Sequence, residues 1–149
     1  MEVSIFTDGS SLGNPGPGGF CALIKMRAHG ASEAELIKKG SKSFIVKGGE
    51  PHTTNNRMEM SAIIAGLYWL HKKIPKVKIC KIFSDSNLII STINHGWKRK
   101  KNKDLWEKLD HLIAKFEHIE WHWIRGHAGH PENTKADRIA VREAKRRQK

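Results

Sequence analysis

The chain has little cysteine, few acids and no long apolar run. Its only cysteines, Cys21 and Cys80, lie alone in apolar stretches without a CxxC pair. That excludes a disulfide-stapled scaffold and predicts two buried free thiols. No apolar run approaches the ~20 residues needed to cross a bilayer. The N-terminal MEVSIFTDGS also lacks the basic-then-apolar order of a signal peptide. These absences predict a cytoplasmic protein with no membrane role. The glycine-rich stretch after Asp8 has neither a GK[ST] ending nor GxGxxG spacing, so it is not a nucleotide-cradling loop. There is no HExxH or GxSxG, and the pair His127 and His130 has no cysteine pair nearby, which argues against zinc and against a serine nucleophile.

Acids are outnumbered, with 15 Asp+Glu against 27 Lys+Arg in 149 residues, a formal net charge of +12. Such a charge attracts polyanions. Lys98, Arg99, Lys100, Lys101 and Lys103 cluster beside Trp97, and Arg142, Lys145, Arg146, Arg147 and Lys149 crowd the C-terminus. Charge alone separates neither RNA from DNA nor either from a merely solubilising surface. The length suits one domain over residues 1–149, and five Trp argue for a packed core.

Alternation predicts strands over residues 2–7, ending at Asp8-Gly9, over 20–26, and over 43–46 with part of the stretch from Leu36. The intervening run of residues 13–19, rich in Gly and Pro, reads as a tight connection and not as a central strand. Asn55-Asn56 can cap a buried helix that Pro75 closes. Residues 77–83 read as a strand and 86–94 as a short helix. Leu105, Leu109, Leu112 and Phe116 recur at helical spacing. Residues 118–124 give a fifth strand, and Pro131 opens a last helix. The order β-β-β-α-β-α-α-β-α predicts one α/β domain with a mixed sheet.

Two strands finish alike, at Thr7-Asp8-Gly9 and at Ser84-Asp85-Ser86. If they are parallel neighbours, Asp8 and Asp85 project side by side and repel unless a cation lies between them. Each alone reads more readily as a turn former than as a ligand. Glu59 sits early in a mostly apolar helix, and Asp137 lies beside the apolar stripe of the last one. Either can be a helix-dipole carboxylate. Four inward acids on a basic protein favour a hard cation, Mg²⁺ or Mn²⁺. Together with the basic surface they suit metal-assisted phosphodiester cleavage.

The strings FTDGSSLGNPGPGGF (6–20), TTNNRMEM (53–60), FSDSNLII (83–90) and WIRGHAGHPENTKAD (123–137) resemble, in order, the four hallmark blocks of type 1 ribonuclease H. The resemblance covers nearly the whole chain. It implies a ribonuclease H-like fold, a five-stranded mixed sheet flanked by helices. It also implies an endonuclease that hydrolyses the RNA strand of RNA–DNA hybrids to 5′-phosphate and 3′-hydroxyl ends. By the same resemblance Asp8, Glu59, Asp85 and Asp137 hold two divalent ions, Mg²⁺ with Mn²⁺ as a substitute. His127 matches the catalytic histidine that assists proton transfer or product release, and His130 is left structural. Gly9, Ser10, Gly13, Asn55 and Asn87 match RNA-strand contacts, Asn56 lies near the DNA strand, and Asn14 and Thr54 match a DNA-phosphate pocket. A monomer without an obligate protein partner is expected. Two departures stand out: His52 replaces an Arg that many relatives carry in that pocket, and the basic segment 97–103 is far shorter than the helical protrusion of longer members. No separate hybrid-binding domain is expected before Met1.

Three other readings compete. A non-catalytic duplex-binding module would require a broken quartet, and all four acids are present. Another nuclease of the wider fold leaves TTNNRMEM without a purpose. A small structural RNA-binding protein leaves the acids unexplained.

Overall fold

The computed structural model describes residues 2–27, 42–125 and 130–148. In chain order it contains β1 (Glu2–Ser11), β2 (Gly16–Arg27), β3 (Lys42–Thr53), α1 (Asn55–Lys73), β4 (Ile79–Ser84), α2 (Asn87–His95), α3 (Lys103–Ile113), β5 (His118–Trp123) and α4 (Pro131–Arg146). The strands form one sheet in the order β3-β2-β1-β4-β5. β3, β2 and β1 are antiparallel neighbours, and β1, β4 and β5 are parallel. This is the mixed α/β sheet and the element order read from the sequence.

Period-two alternation sends Val3 and Ile5 to one face of the sheet, where they join Ala22, Ile24, Ile82 and the α1 residues Met60, Ile63, Leu67 and Leu70 in the main core. Each such buried Leu or Ile contributes roughly 1.5–3 kcal/mol over an exposed one. Phe6, Leu23 and Ile124 form a second cluster with Phe83 against them, and Cys21 packs on Ala136 and Ala140 of α4. Cys21 and Cys80 are buried free thiols, and burial pushes both up to about 12.

Several boundaries differ from expectation. β1 does not stop at Asp8-Gly9. Its parallel pairing with β4 ends at Thr7↔Ser84, but antiparallel pairing with β2 continues to Ser11↔Gly18. Correspondingly, Gly16–Gly19 belongs to β2, a central strand. A register shift between Gly16 and Gly18 accommodates Pro17, whose carbonyl still accepts from the Leu12 N–H at 2.7 Å. Glycine serves close packing here: a Cβ on Gly19 would fall on the Ala140 carbonyl and the Ala144 amide of α4. β3 extends to Thr53, and its expected beginning near Leu36 lies outside the described residues.

The N-cap of α1 is Thr54, ahead of the expected Asn pair; its Oγ1 accepts from the Arg57 N–H at 3.2 Å. α3 ends at Ile113, short of Phe116. Arg57 forks onto Asp104, Nη1 to Oδ1 at 3.0 Å and Nη2 to Oδ2 at 2.8 Å, and Nη1 also donates to Asn102 Oδ1 at 3.2 Å. That fork ties the start of α1 to the start of α3 and holds the Asp104 carboxyl down to about 2. At the other end of the sheet, buried Glu143 faces Lys47, Arg146 and Arg147 at 3.4–3.7 Å. Lys47 of β3 thus ties the sheet to α4, whereas Arg146 and Arg147 pair with Glu143 within α4 and its C-cap.

Candidate metal centre and nucleic-acid interface

The parallel pairing of β1 with β4 ends at Thr7↔Ser84, so Asp8 and Asp85 each lie one residue past the same rung. Below them Thr7 Oγ1 donates to the Phe83 carbonyl at 3.1 Å. Phe6 stacks on Phe83 at 4.7 Å, and Phe83 on His122 at 4.9 Å, an aromatic layer under the site. Glu59 arrives from the second turn of α1. One carboxylate oxygen each from Asp8, Glu59 and Asp85 lies within 4.8 Å of the others. Asp137, in the second turn of α4, reaches Asp8 closely enough to share a hydrogen bond.

The electrostatics follow from this crowding. Burial pushes Asp8 well above the carboxylate range, the Asp85 charge adds to it, and so do the hydrogen bond and charge of Asp137. The Gly9 N–H, donating to Asp8 Oδ1 at 2.9 Å, opposes the rise. Glu59 is pushed up to about 7 by burial and then by Asp85, against a hydrogen bond with Ser86. Carboxylates that repel in a partly dehydrated corner are relieved by a proton or a cation. Three hard oxygen donors at these separations fit Mg²⁺ or Mn²⁺ and offer zinc neither nitrogen nor sulfur.

The turn carrying Asp85 is closely held. The Ser86 N–H donates to Ser84 Oγ at 3.1 Å, and Ser86 Oγ accepts from the Ile89 N–H at 3.2 Å, capping α2. From β5, the Trp123 indole N–H donates to the Asp85 carbonyl at 3.1 Å. Sequence reading missed Ser86 and Trp123 as supports. Ser86 carried a signal, a Ser at the N-cap position after a strand-end acid. Trp123 carried none, because its contact depends on which strand neighbours β4.

The polar residues expected to meet nucleic acid gather around the same sheet edge. Asn55 Oδ1 accepts from the Ser11 N–H at 2.7 Å and the Ser11 hydroxyl at 3.1 Å, joining β1 to the start of α1. Gly9 and Ser10 are in β1, two and one residues before Ser11. Gly13, with φ +97°, and Asn14 form the turn that leads to Gly16, which pairs with Thr53 beside the Thr54 cap. Asn56 follows in the first turn of α1. Asn87 opens α2, its Oδ1 accepting from the Ser91 hydroxyl at 2.9 Å. His52 is exposed near the end of β3. His127 lies outside the described residues, and His130 directly precedes α4.

In the basic segment, Lys98, Lys100, Lys101 and Lys103 are exposed. Arg99 differs: its guanidinium lies 4.3 Å from the Trp106 ring centroid and pairs with Asp110 at 2.6 Å, anchoring the segment to α3. No helix among the described residues is long and apolar enough to cross a membrane.

The family model described as RNase H matches residues 1–145. The chain is 44% identical over 151 residues to the protein named Ribonuclease H of Bradyrhizobium sp. (strain ORS 278), covering 93% of this chain and 86% of that one. Among solved structures, the N-terminal RNase H domain of a Mycobacterium tuberculosis protein, fused to maltose-binding protein, superposes with a TM-score of 0.78 at 28% identity. That match covers 98% of this chain and 95% of the other. LC11-RNase H1, solved in complex with RNA/DNA hybrid, shares the fold with a TM-score of 0.76 at 23% identity, over 97% and 98% of the two chains.

Proposed function

This chain belongs to the RNase H family, and on that footing we propose that it is a type 1 enzyme, an endonuclease cutting the RNA strand of RNA–DNA hybrids. Residues 1–149 act as one catalytic domain, as a monomer in the cytoplasm. The observation that carries the reading is the convergence of Asp8, Glu59 and Asp85 from three elements on one point, with Asp137 beside Asp8.

Asp8, Glu59, Asp85 and Asp137 would hold two divalent ions, Mg²⁺ by preference. When bound, such a pair lowers the pKa of the attacking water and neutralises the leaving oxygen. The carboxylates fix where that charge sits relative to the scissile phosphate. Water adds to phosphorus and the P–O3′ bond breaks. The water's proton ends on the departing 3′-oxygen, leaving 5′-phosphate and 3′-hydroxyl ends. His127 is the residue proposed to carry protons or assist release.

Recognition rests on small polar groups facing the wide minor groove of the hybrid, where 2′-hydroxyls mark the RNA strand. Gly9, Ser10, Gly13, Asn55 and Asn87 are proposed to touch that strand, Asn56 the DNA strand, and Asn14 and Thr54 a DNA phosphate. The clustering of these positions at one sheet edge supports this assignment. Matched RNA–DNA, RNA–RNA and DNA–DNA duplexes, incubated with and without Mg²⁺, test the proposal. Cleavage confined to the RNA strand of the hybrid and dependent on Mg²⁺ is expected. Equal cleavage of the all-DNA duplex would favour a broader nuclease.

A further inference from the structure

Asp85 sits in the short turn between Ser84, the last residue of β4, and Asn87, the first of α2. A turn this short has no ladder of its own. The Ile124 N–H holds the Ser84 carbonyl at 2.8 Å, and Ser84 Oγ holds the Ser86 N–H. The carbonyl of Asp85 itself accepts from Trp123 Nε1 at 3.1 Å. Trp123 closes β5 and pairs with Ser84, so its side chain reaches one residue past the end of the neighbouring strand.

The ring is poorly placed for packing. Trp123 is 45% exposed, against 7% for the core residue Trp106, so burial explains little of its presence. Indole nitrogen is donor-only, and here its one polar function is directed at the backbone of an acid. The Arg125 guanidinium, 6.0 Å from the ring centroid, steadies the ring further. Asp85 is also the acid whose charge acts on both Asp8 and Glu59. Rotation of its peptide would change both separations together.

We infer that Trp123 is a positioning residue for the cation site: its indole N–H fixes the Asp85 peptide and thereby the aim of the Asp85 carboxylate. This rests on reading the acidic cluster as a metal centre. Outer partners of ligating groups commonly alter metal affinity by about tenfold or more, and a backbone anchor should give the lower end of that range. Coupling is reciprocal, so a bound cation should also tighten the Trp123 bond.

The test is calorimetric titration of the full chain with Mn²⁺ and with Mg²⁺. Trp123→Phe keeps a ring and deletes the donor; its cation dissociation constant should rise about tenfold. Hybrid affinity in EDTA should not change, and Trp123→His, which retains a ring N–H, should recover part of the loss. In wild-type protein, the Trp123 indole proton should exchange with solvent more slowly once Mg²⁺ saturates the site, a readout that needs no variant to fold. Unchanged affinity in Trp123→Phe, or unchanged exchange on saturation, would overturn the inference alone. Failure of the wild-type chain to bind either cation would instead overturn the metal-centre reading on which it depends.

Discussion

Gly9 touches the backbone of Glu59: a Cβ on residue 9 would fall on the Glu59 amide nitrogen and the Met58 carbonyl carbon. β1 therefore runs directly against the beginning of α1, and this contact brings Glu59 to Asp8. Only a residue without a side chain allows it. Gly9→Ala must push the strand and helix apart, at a cost of about 1–3 kcal/mol, with weakened Mg²⁺ binding. Urea unfolding and cation titration measure the two effects. Wild-type stability together with wild-type affinity would show that the contact does not set the site.

The acidic cluster predicts an inverted pH dependence in cation-free protein. Asp8 is raised above the range it has in the unfolded chain, so between those values the folded state holds a proton that unfolding releases. Its contribution to stability is least unfavourable below about pH 4 and worsens as pH climbs toward the raised value. Asp8→Asn removes the penalty. In EDTA near pH 8 the variant should be more stable than wild type by roughly 1–3 kcal/mol, converging with it near pH 4. Mg²⁺ should restore wild type without helping the variant comparably. A stability difference independent of pH would contradict this origin.

Much of this was legible in the sequence, and the exceptions have physical causes. Period-two and helical patterns gave the element order because each element buries one face. The strand-end acids Asp8 and Asp85 were legible as a pair, conditional on β1 and β4 being parallel neighbours, which they are. The Gly-Pro run of β2 read as a loop because propensity reports the isolated chain. In the fold, Gly19 lies under α4, where any side chain would clash, and the register shift absorbs Pro17. The Asn55-Asn56 cap was displaced by one residue because Thr54 offers a hydroxyl at the right place, freeing Asn55 to hold Ser11. Long-range partners such as Trp123 for Asp85, or Arg57 for Asp104, leave no local pattern at all.

The basic segment divides into anchor and contact residues. Arg99 is engaged by Trp106 and Asp110, so changing it should loosen the segment, whereas the neighbouring lysines are exposed. Neutralising Lys98, Lys100 and Lys101 together should weaken hybrid binding and leave saturated turnover nearly unchanged. Each lost phosphate contact should flatten the log–log salt dependence by roughly 0.7–0.9. Titration of catalytically inactive protein against hybrid at several salt concentrations decides, and an unaltered slope would remove the segment from the interface.

In the proposed function the converging carboxylates hold the ions that cleave the hybrid. The most direct test is turnover of a labelled RNA–DNA hybrid by Asp8→Asn at saturating Mg²⁺, with hybrid affinity measured in the same preparation. An amide supplies neither the charge nor the bridging capacity of a carboxylate, so cleavage should nearly vanish while binding persists or tightens. Turnover like that of the wild type, by folded Asp8→Asn protein, would contradict the account.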